Sequence, residues 1–181
     1  MNLSLSPGKC EFLMTEGTVL GHSISQQGLQ VDRNEVSTIQ RVPPPQKQRD
    51  VRIFLGLARY YRRFIKGFSK LASPLFGLSA KDYEFIWSKI CQEALDILKG
   101  KVSIAPTLRG PNWAIPFHIH DDASYKDIGA TLGQLEEKFP YAIYFTSKNL
   151  SKAELNYTVT GKELLVVVHS LNKFRHYITG Y

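Results

Sequence analysis

Basic side chains are concentrated in one short segment of this sequence, where they are suited to holding phosphate groups. Between positions 45 and 70 there are eight basic residues against one acidic residue, a difference equal to the formal net charge of +7 of the whole chain. At helical spacing four of these cations fall on one arc: Arg52, Arg59, Arg63 and Lys66. Such side chains contact nucleic-acid phosphates without reading bases, so the arc, with Arg62 beside it, predicts a phosphate-binding surface. A solvated helix face is the alternative, and the lack of acidic residues from position 51 to 69 weighs against it.

Carboxylates and histidines in the second half of the chain could hold a metal ion, although ordinary structural roles explain them as well. His118, His120 and Asp122 alternate along a predicted strand, so they point to one face and could imitate a transition-metal site. A half-exposed strand face gives the same alternation, and Asp122 can also cap the turn at Ala123-Ser124. Asp121 points to the opposite face and should not substitute for Asp122. Glu163 completes the capping-box pattern Thr160-Gly161-Lys162-Glu163.

The elements that position the basic arc are mostly helical. Short apolar runs separated by turn residues from Cys10 to Val31 predict a β-hairpin or the tail of a sheet, in which Leu20-Gly21-His22 is a turn. Asp32 can cap a helix over 33–41, and three prolines at 43–45 must end it. The best helical pattern of the chain covers 46–65, with apolar positions at Val51, Phe54, Leu55, Ala58, Tyr61 and Ile65.

The elements that carry the carboxylates follow a change in composition near residue 106. Before it, a turn and short helix are predicted for 67–79, with Pro74 in the first helical turn, and an amphipathic helix for 87–101. After it, a linker at 109–112 precedes three predicted strands, at 117–121, 128–135 and 141–147. The last predicted element is a helix from about Thr160 to His176.

Four blocks of sequence stand in a particular order along the chain. They are Lys9-Cys10-Glu11-Phe12 with Leu20-Gly21-His22; Phe54 to Ile65 with Pro74-Leu75; Asp122-Ala123-Ser124 with Gly129-Ala130 and Gln134; and Asn156-Tyr157 with Lys162-Glu163-Leu164-Leu165. Together they resemble the polymerase-to-ribonuclease-H junction of gypsy-type long-terminal-repeat retrotransposon Pol polyproteins. In that resemblance the blocks correspond to the last palm strand with the primer-gripping hairpin, the thumb helix, the first ribonuclease H strand pair and its first helix.

The resemblance implies an α+β chain in three parts. Residues 1–32 would be the end of a reverse transcriptase palm with a primer-grip-like hairpin, and 33–106 a helical thumb or connection region. Residues 107–181 would be the N-terminal part of a truncated ribonuclease H-like domain, with three antiparallel strands and one helix. The implied parent activities are RNA-directed DNA synthesis and hydrolysis of RNA in RNA–DNA hybrids.

The resemblance also implies roles for individual residues. Asp122 would bridge two Mg²⁺ ions and Glu163 would hold one of them, both as catalytic metal ligands, because Mg²⁺ prefers hard oxygen ligands. The nucleic-acid-binding residues would be Leu20, Gly21, His22, Arg52, Arg59, Arg62, Arg63 and Lys66. The implied partners are an RNA–DNA hybrid or DNA duplex and the rest of the Pol polyprotein.

This sequence departs from the family pattern in ways that bear on activity. The paired polymerase aspartates of the family precede the first block, and its third and fourth ribonuclease H carboxylates follow the last. We therefore expect an incomplete enzyme that binds Mg²⁺ weakly or not at all. Asp121 stands where the family usually has threonine and Gly161 where it usually has glutamate, which suggests a drifting copy. The alternative function is that of a non-catalytic remnant that grips duplex through the arginine-rich helix.

Composition excludes several other classes of protein. The longest apolar run, Leu164 to Val168, is far shorter than the roughly 20 residues of a membrane helix, and Lys9 interrupts any signal-peptide core. We expect no membrane partner and an intracellular location, cytoplasmic or nuclear, rather than secretion. Cys10 and Cys91 lie far apart and outside CxxC spacing, so neither a disulfide framework nor a zinc site is indicated.

Overall fold

The computed structural model describes Gly8, Cys10 and residues 12–79 and 84–179. Lys9 and Glu11 of the first sequence block lie outside the described residues. Within the described ranges the chain forms five α-helices and two three-stranded antiparallel sheets, which confirms the predicted α+β class. No helix of this part of the chain is both long enough and apolar enough to cross a membrane.

The first sheet is a meander of three short strands, β1 (Gly17–Val19), β2 (His22–Ser25) and β3 (Gly28–Val31). Leu29 of β3 also exchanges two backbone hydrogen bonds with Leu108, with N···O distances of 2.7 and 2.9 Å. Gly28 permits this close approach, because its φ is +126° and any Cβ would collide with the Leu108 carbonyl. The first sheet is thereby tied to the linker that precedes the second sheet.

The next two elements are helices, as predicted, and the second begins at residue 48 instead of 46. Asp32 caps α1 (Arg33–Arg41) by accepting a hydrogen bond from the Asn34 amide at 2.9 Å. The next helix, α2 (Gln48–Tyr60), buries four of the predicted apolar positions: Val51, Phe54, Leu55 and Ala58.

The predicted extension of α2 to residue 65 is wrong. The helix ends at Tyr60 and Arg62–Phe64 forms a 3₁₀ turn, held by bonds from the Phe64 amide to the Tyr61 carbonyl and from the Ile65 amide to the Arg62 carbonyl. The tighter turn brings Tyr61, Phe64 and Ile65 into the core, each only 2% exposed. The sequence pattern predicted the burial of Tyr61 and Ile65 but not that of Phe64.

The helical region is completed by α3 (Phe68–Leu78) and α4 (Lys89–Ser103). Its core contains Leu75, Leu95 and Leu98, all fully buried. Pro74 lies inside α3, so the prediction that it occupies the first turn is wrong. A proline there leaves the Lys70 carbonyl without its helical donor, and because Lys70 is exposed, water can replace that donor.

The second sheet contains the three predicted strands, β4 (His118–Ala123), β5 (Asp127–Glu136) and β6 (Phe139–Asn149). The predicted last helix, α5 (Val159–Ile178), crosses one face, where Ala130, Leu132 and Phe174 are buried together. The other face of β6 packs Ala142 and Phe145 against the core of the helical region. β6 is therefore covered on both sides, and it joins the two halves of the described chain.

Gln134 fixes the linker to this sheet. Its side chain is 1% exposed and accepts hydrogen bonds from the Asn112 amide at 2.9 Å and the Tyr141 hydroxyl at 2.7 Å. It also donates to the carbonyls of Asn112 and Ile115 at 2.8 and 2.9 Å. All the hydrogen-bonding capacity of a buried amide is thus used, as burial of a polar group requires.

We predict that Gln134→Leu lowers the free energy of unfolding by about 2–4 kcal/mol, because a leucine of similar size leaves several buried linker groups without partners. Urea denaturation measures this change, and Gln26→Leu at an exposed turn position is the control, expected to stay within about 0.5 kcal/mol of wild type. Equal stabilities for the two variants would contradict the role assigned to Gln134.

Candidate nucleic-acid interface and carboxylate site

The tip of the first hairpin is docked on the end of α2. Leu20 and Gly21 form the two-residue turn between the paired residues Val19 and His22, and both have positive φ, +48° and +71°. Leucine rarely adopts that conformation, so the turn must be held by its surroundings. The Leu20 carbonyl accepts hydrogen bonds from the Tyr60 hydroxyl at 2.6 Å and from His22 Nδ1 at 2.9 Å.

The ring of His22 is enclosed by the aromatic residues of the same helix end. Its centroid lies 5.0 Å from that of Tyr60, 5.5 Å from that of Tyr61 and 5.7 Å from that of Phe64. Burial and the nearby Glu35 carboxylate raise the pKa of Tyr61. The Leu20 side chain, by contrast, is 81% exposed, so the docked turn presents an apolar group to solvent beside the cationic segment.

The predicted basic arc is divided between two elements. Arg52 and Arg59 lie on α2, whereas Arg63 and Lys66 follow the break at Tyr61, so the prediction of one continuous helical arc is wrong. The Arg59 guanidinium lies 5.6 Å from the centroid of the Phe76 ring. Arg52 and Lys66 are exposed. The role of these cations in binding nucleic acid stays a prediction.

Two of the cations turn toward the second sheet. The Arg63 guanidinium lies 5.2 Å from the centroid of the Tyr144 ring of β6. Arg62, in the 3₁₀ turn, lines a cavity together with Lys148 and His169. Sequence reasoning missed Lys148 and His169, because nothing in the local pattern of β6 or α5 distinguishes them.

Asp121 and Asp122 lie on opposite faces of β4, as predicted. The Asp121 carboxylate accepts a hydrogen bond from the Ser170 hydroxyl of α5 at 3.3 Å, so it faces that helix. Asp122 is paired with Gly129 and shares the outer face with His118 and His120. Burial raises the pKa of Asp121, against the opposing effects of Ser170, His169 and His120.

Glu163 is an exposed residue near the start of α5. The helix begins at Val159 with Thr158 as its cap, and the Thr158 hydroxyl accepts a bond from the Gly161 amide at 3.1 Å. The capping box predicted at Thr160 is therefore wrong, and Glu163 has no capping role. Helical spacing places Glu163 on the same side of α5 as Ser170, which bonds Asp121 of β4, and places His169 on the other side of the buried face. Since His169 lies against Thr146 of β6, Glu163 is on the flank toward β4.

The described residues contain no cluster of three or more metal-ligating side chains. Within the described residues there is no group of three or more His, Cys, Asp or Glu side chains placed to hold a metal ion, so the alternative of a His118–His120–Asp122 site is wrong. Mg²⁺ requires six oxygen ligands at strict geometry, of which proteins supply part and water the rest. Asp122 and Glu163 are oxygen ligands of the kind that could fill part of such a set, and their binding of Mg²⁺ stays a prediction.

Comparison with known proteins places these features in a family. Residues 87–181 match the family model described as the RNase H-like domain found in reverse transcriptase. The chain is 36% identical over 180 residues to the retrovirus-related Pol polyprotein from transposon 297 of Drosophila melanogaster, covering 99% of this chain and 17% of that relative. It is 32% identical over 179 residues to the transposon Tf2-3 polyprotein of Schizosaccharomyces pombe, covering 98% of this chain and 13% of that relative.

Solved structures show the same fold. A foamy viral protease-reverse transcriptase in complex with an RNA/DNA hybrid superposes with a TM-score of 0.78 at 24% identity, covering 92% of this chain and 23% of that one. The protein in complex with double-stranded DNA gives a TM-score of 0.76 at 24% identity, covering 92% and 35%. The chain thus spans less than a fifth of the two sequence relatives and about a quarter to a third of these structures.

We predict that Gly21→Ala lowers the free energy of unfolding by about 1–3 kcal/mol, because φ is positive and the new Cβ would lie 2.7 Å from the Tyr61 hydroxyl oxygen. Gly56→Ala is the matched control: the glycine is exposed in α2 with open space around it, so alanine should stabilise the chain by about 0.5–1 kcal/mol. Urea denaturation measures both changes in the free energy of unfolding. Changes of the same sign for the two variants would contradict the docking of the turn on Tyr61.

We predict that Asp121→Asn stabilises the chain at neutral pH and that this gain shrinks as the pH falls. The pKa of this carboxyl is raised in the folded state above 3.8, so the folded chain holds its proton more tightly than the unfolded chain does. Ionisation therefore costs stability above the raised pKa and costs nothing below the unfolded value. Urea denaturation of both proteins between pH 4 and 7.5 measures the difference, and a difference independent of pH would count against burial of the carboxyl as its cause.

Proposed function

The chain belongs to the family of RNase H-like domains found in reverse transcriptase, and on that premise we propose that it is a duplex-gripping segment of a retrotransposon Pol polyprotein. The transposon relatives confirm the resemblance seen in the sequence blocks. The parent activities proposed are RNA-directed DNA synthesis and hydrolysis of RNA in RNA–DNA hybrids. Its partners would be such a hybrid or a DNA duplex, and the rest of the polyprotein, at an intracellular site, cytoplasmic or nuclear.

The observation that carries the proposal is the docking of the hairpin tip on a helix end rich in cations. The hydrogen bond from Tyr60 to the Leu20 carbonyl fixes an exposed apolar side chain next to the segment that holds the chain's excess positive charge. An apolar contact beside cations suits a nucleic-acid backbone, whose phosphates attract the cations while its sugars offer apolar surface. Proteins of the same fold that were solved with double-stranded DNA and with an RNA/DNA hybrid support a duplex as the ligand.

The cations available for this contact are Arg52, Arg59 and Lys66, which are exposed. Within the described residues none of the three takes part in an ion pair, since the pairs found there are Lys89–Glu93, Arg109–Glu136 and Lys148–Glu154. A cation without an ion-pair partner can attract a phosphate, and because it is exposed, salt screens that attraction. Binding of this kind releases counterions and so weakens steeply as salt rises.

The proposed catalytic role of the chain is limited to supplying ligands. Asp122 and Glu163 would contribute to Mg²⁺ binding together with carboxylates from outside the described residues. These residues would hold Mg²⁺ there, and the chemistry that the ion would supply is activation of water and stabilisation of a leaving oxygen. A second candidate function, a non-catalytic remnant that only binds duplex, is favoured because no group of three or more His, Cys, Asp or Glu side chains in the described part of the chain is placed to hold a metal ion.

We predict that the purified chain binds a labelled RNA–DNA hybrid without cleaving it. Fluorescence anisotropy at several salt concentrations should give an affinity that falls steeply with salt and survives chelation of divalent ions. Magnesium-dependent cleavage, abolished by a chelator and by Asp122→Asn, would show that a complete nuclease site forms and would overturn the limited role. Failure to bind hybrid even at low salt would overturn the proposed function itself.

We further predict that the double variant Arg52→Gln, Lys66→Gln lowers the slope of log affinity against log salt by about 1–2, because each lost phosphate contact removes about 0.9 from that slope. Lys89→Gln is the matched control, since Lys89 is 90% exposed on α4 and outside the cationic segment. An equal slope for the double variant and the control would count against this surface.

A further inference from the structure

A cleft lies between the helical region and the second sheet, and four of its lining side chains are basic. We call it the basic cleft: it is a cavity of about 390 Å³ lined by Arg59, Arg62, Phe68, Ser69, Phe76, Ser147, Lys148, Asn149 and His169. Its walls come from α2, the 3₁₀ turn, α3, the end of β6 and the middle of α5. No carboxylate is among the lining residues, so no negatively charged side chain inside the cleft offsets the cations.

The charges of the basic cleft are only partly compensated. Lys148 pairs with Glu154 at 2.6 Å, and this contact together with the Ser151 amide and hydroxyl lowers the pKa of Glu154 to about 2. Arg59 and Arg62 form no ion pair within the described residues. The remaining groups around the cleft thus keep a net positive charge.

The start of α3 adds to the positive character of the same wall. The helix has no acidic residue in its first turn and no side-chain cap of its own. The Ser69 amide instead donates to the Ser147 hydroxyl of β6 at 2.9 Å, which seats the positive end of the helix dipole against the cleft. A wall made of a helix start and converging cations is the arrangement that proteins use for phosphate.

Burial and neighbouring charges both lower the pKa of His169. Burial has the largest effect, the cations Lys148, Lys173 and Arg62 lower the pKa further, and Asp121 raises it. Its Nε2 lies 3.4 Å from the Thr146 hydroxyl. A neutral imidazole among cations is therefore a reporter for any anion that enters, because an anion would favour the protonated ring.

We propose that the basic cleft binds a phosphate group, and that in the working protein this group is a backbone phosphodiester of the bound duplex. Arg62 and His169 contact the phosphate, and Lys148 supports it from the β6 side. The volume exceeds that of one phosphate and admits the adjoining sugars, against which the half-buried Phe76 side chain can lie. The identification of duplex as the source of the phosphate rests on the proposed function.

The first test uses the unmodified chain and follows the His169 ring by NMR over a pH titration. Addition of RNA–DNA hybrid should raise the pKa of His169 by about one unit, the usual effect of an opposite charge at close range. Inorganic phosphate in a separate sample shows whether a free anion suffices. A response to inorganic phosphate and none to hybrid would overturn the assignment to duplex, and no response to either would overturn the site.

The second test compares Arg62→Gln and His169→Gln with the control Lys89→Gln by anisotropy with hybrid. Each cleft variant should weaken binding about three- to tenfold, and Arg62→Gln should lower the salt slope by about 0.9, whereas the control should bind as wild type. Circular dichroism checks that each variant folds. If a variant does not fold, the NMR titration of His169 in the unmodified chain decides whether the basic cleft binds phosphate. Salt-sensitive hybrid binding that neither variant changes would overturn the cleft while leaving the proposed function standing. Loss of hybrid binding by the unmodified chain would overturn both.

Discussion

Burial of β6 on both faces is the constraint on which the arrangement of this chain depends. Phe145 packs against the core of the helical region and Ser147 caps α3, while Tyr144 and Thr146 face α5. A strand whose side chains alternate between two cores cannot slip by one residue without exposing both. The helical region and the second sheet are consequently held in one register, and the basic cleft lies between them at the end of β6.

A second junction, between the first sheet and the end of α2, lies at the helix break that the sequence did not reveal. The 3₁₀ turn keeps Tyr60, Tyr61 and Phe64 around His22, and it turns Arg62 and Arg63 toward β6. One local change of helix type thus separates the cations into an exposed group and a group that meets the second sheet.

The sequence predicted the helices and strands, and which of their side chains are buried, better than it predicted the contacts between these elements. Helical spacing gave the buried residues of α2, and strand alternation gave the opposite faces of Asp121 and Asp122, because both depend only on local geometry. The unbroken apolar run at 141–145 was an available sign that β6 is buried on both faces. The start of α3 and the basic cleft depend on tertiary contacts such as Ser69 to Ser147, 78 residues apart, which no local pattern contains. The cap of α5 is a local contact, from the Gly161 amide to the Thr158 hydroxyl, and the capping-box pattern placed it two residues too late.

The geometry of α5 separates the two proposed sites of this chain. His169 faces β6 and Glu163 lies on the flank toward β4, six residues nearer the start of the helix, which is about 9 Å along its axis. β4 and β6 are two strand spacings apart, about 10 Å. The cleft and the carboxylates are therefore too distant to touch one phosphodiester, given a rise of about 3.4 Å per nucleotide in each strand of a duplex. A phosphate held in the basic cleft would therefore set the position of the duplex. That phosphate would lie at least two or three nucleotides from any phosphodiester that Asp122 and Glu163 contact.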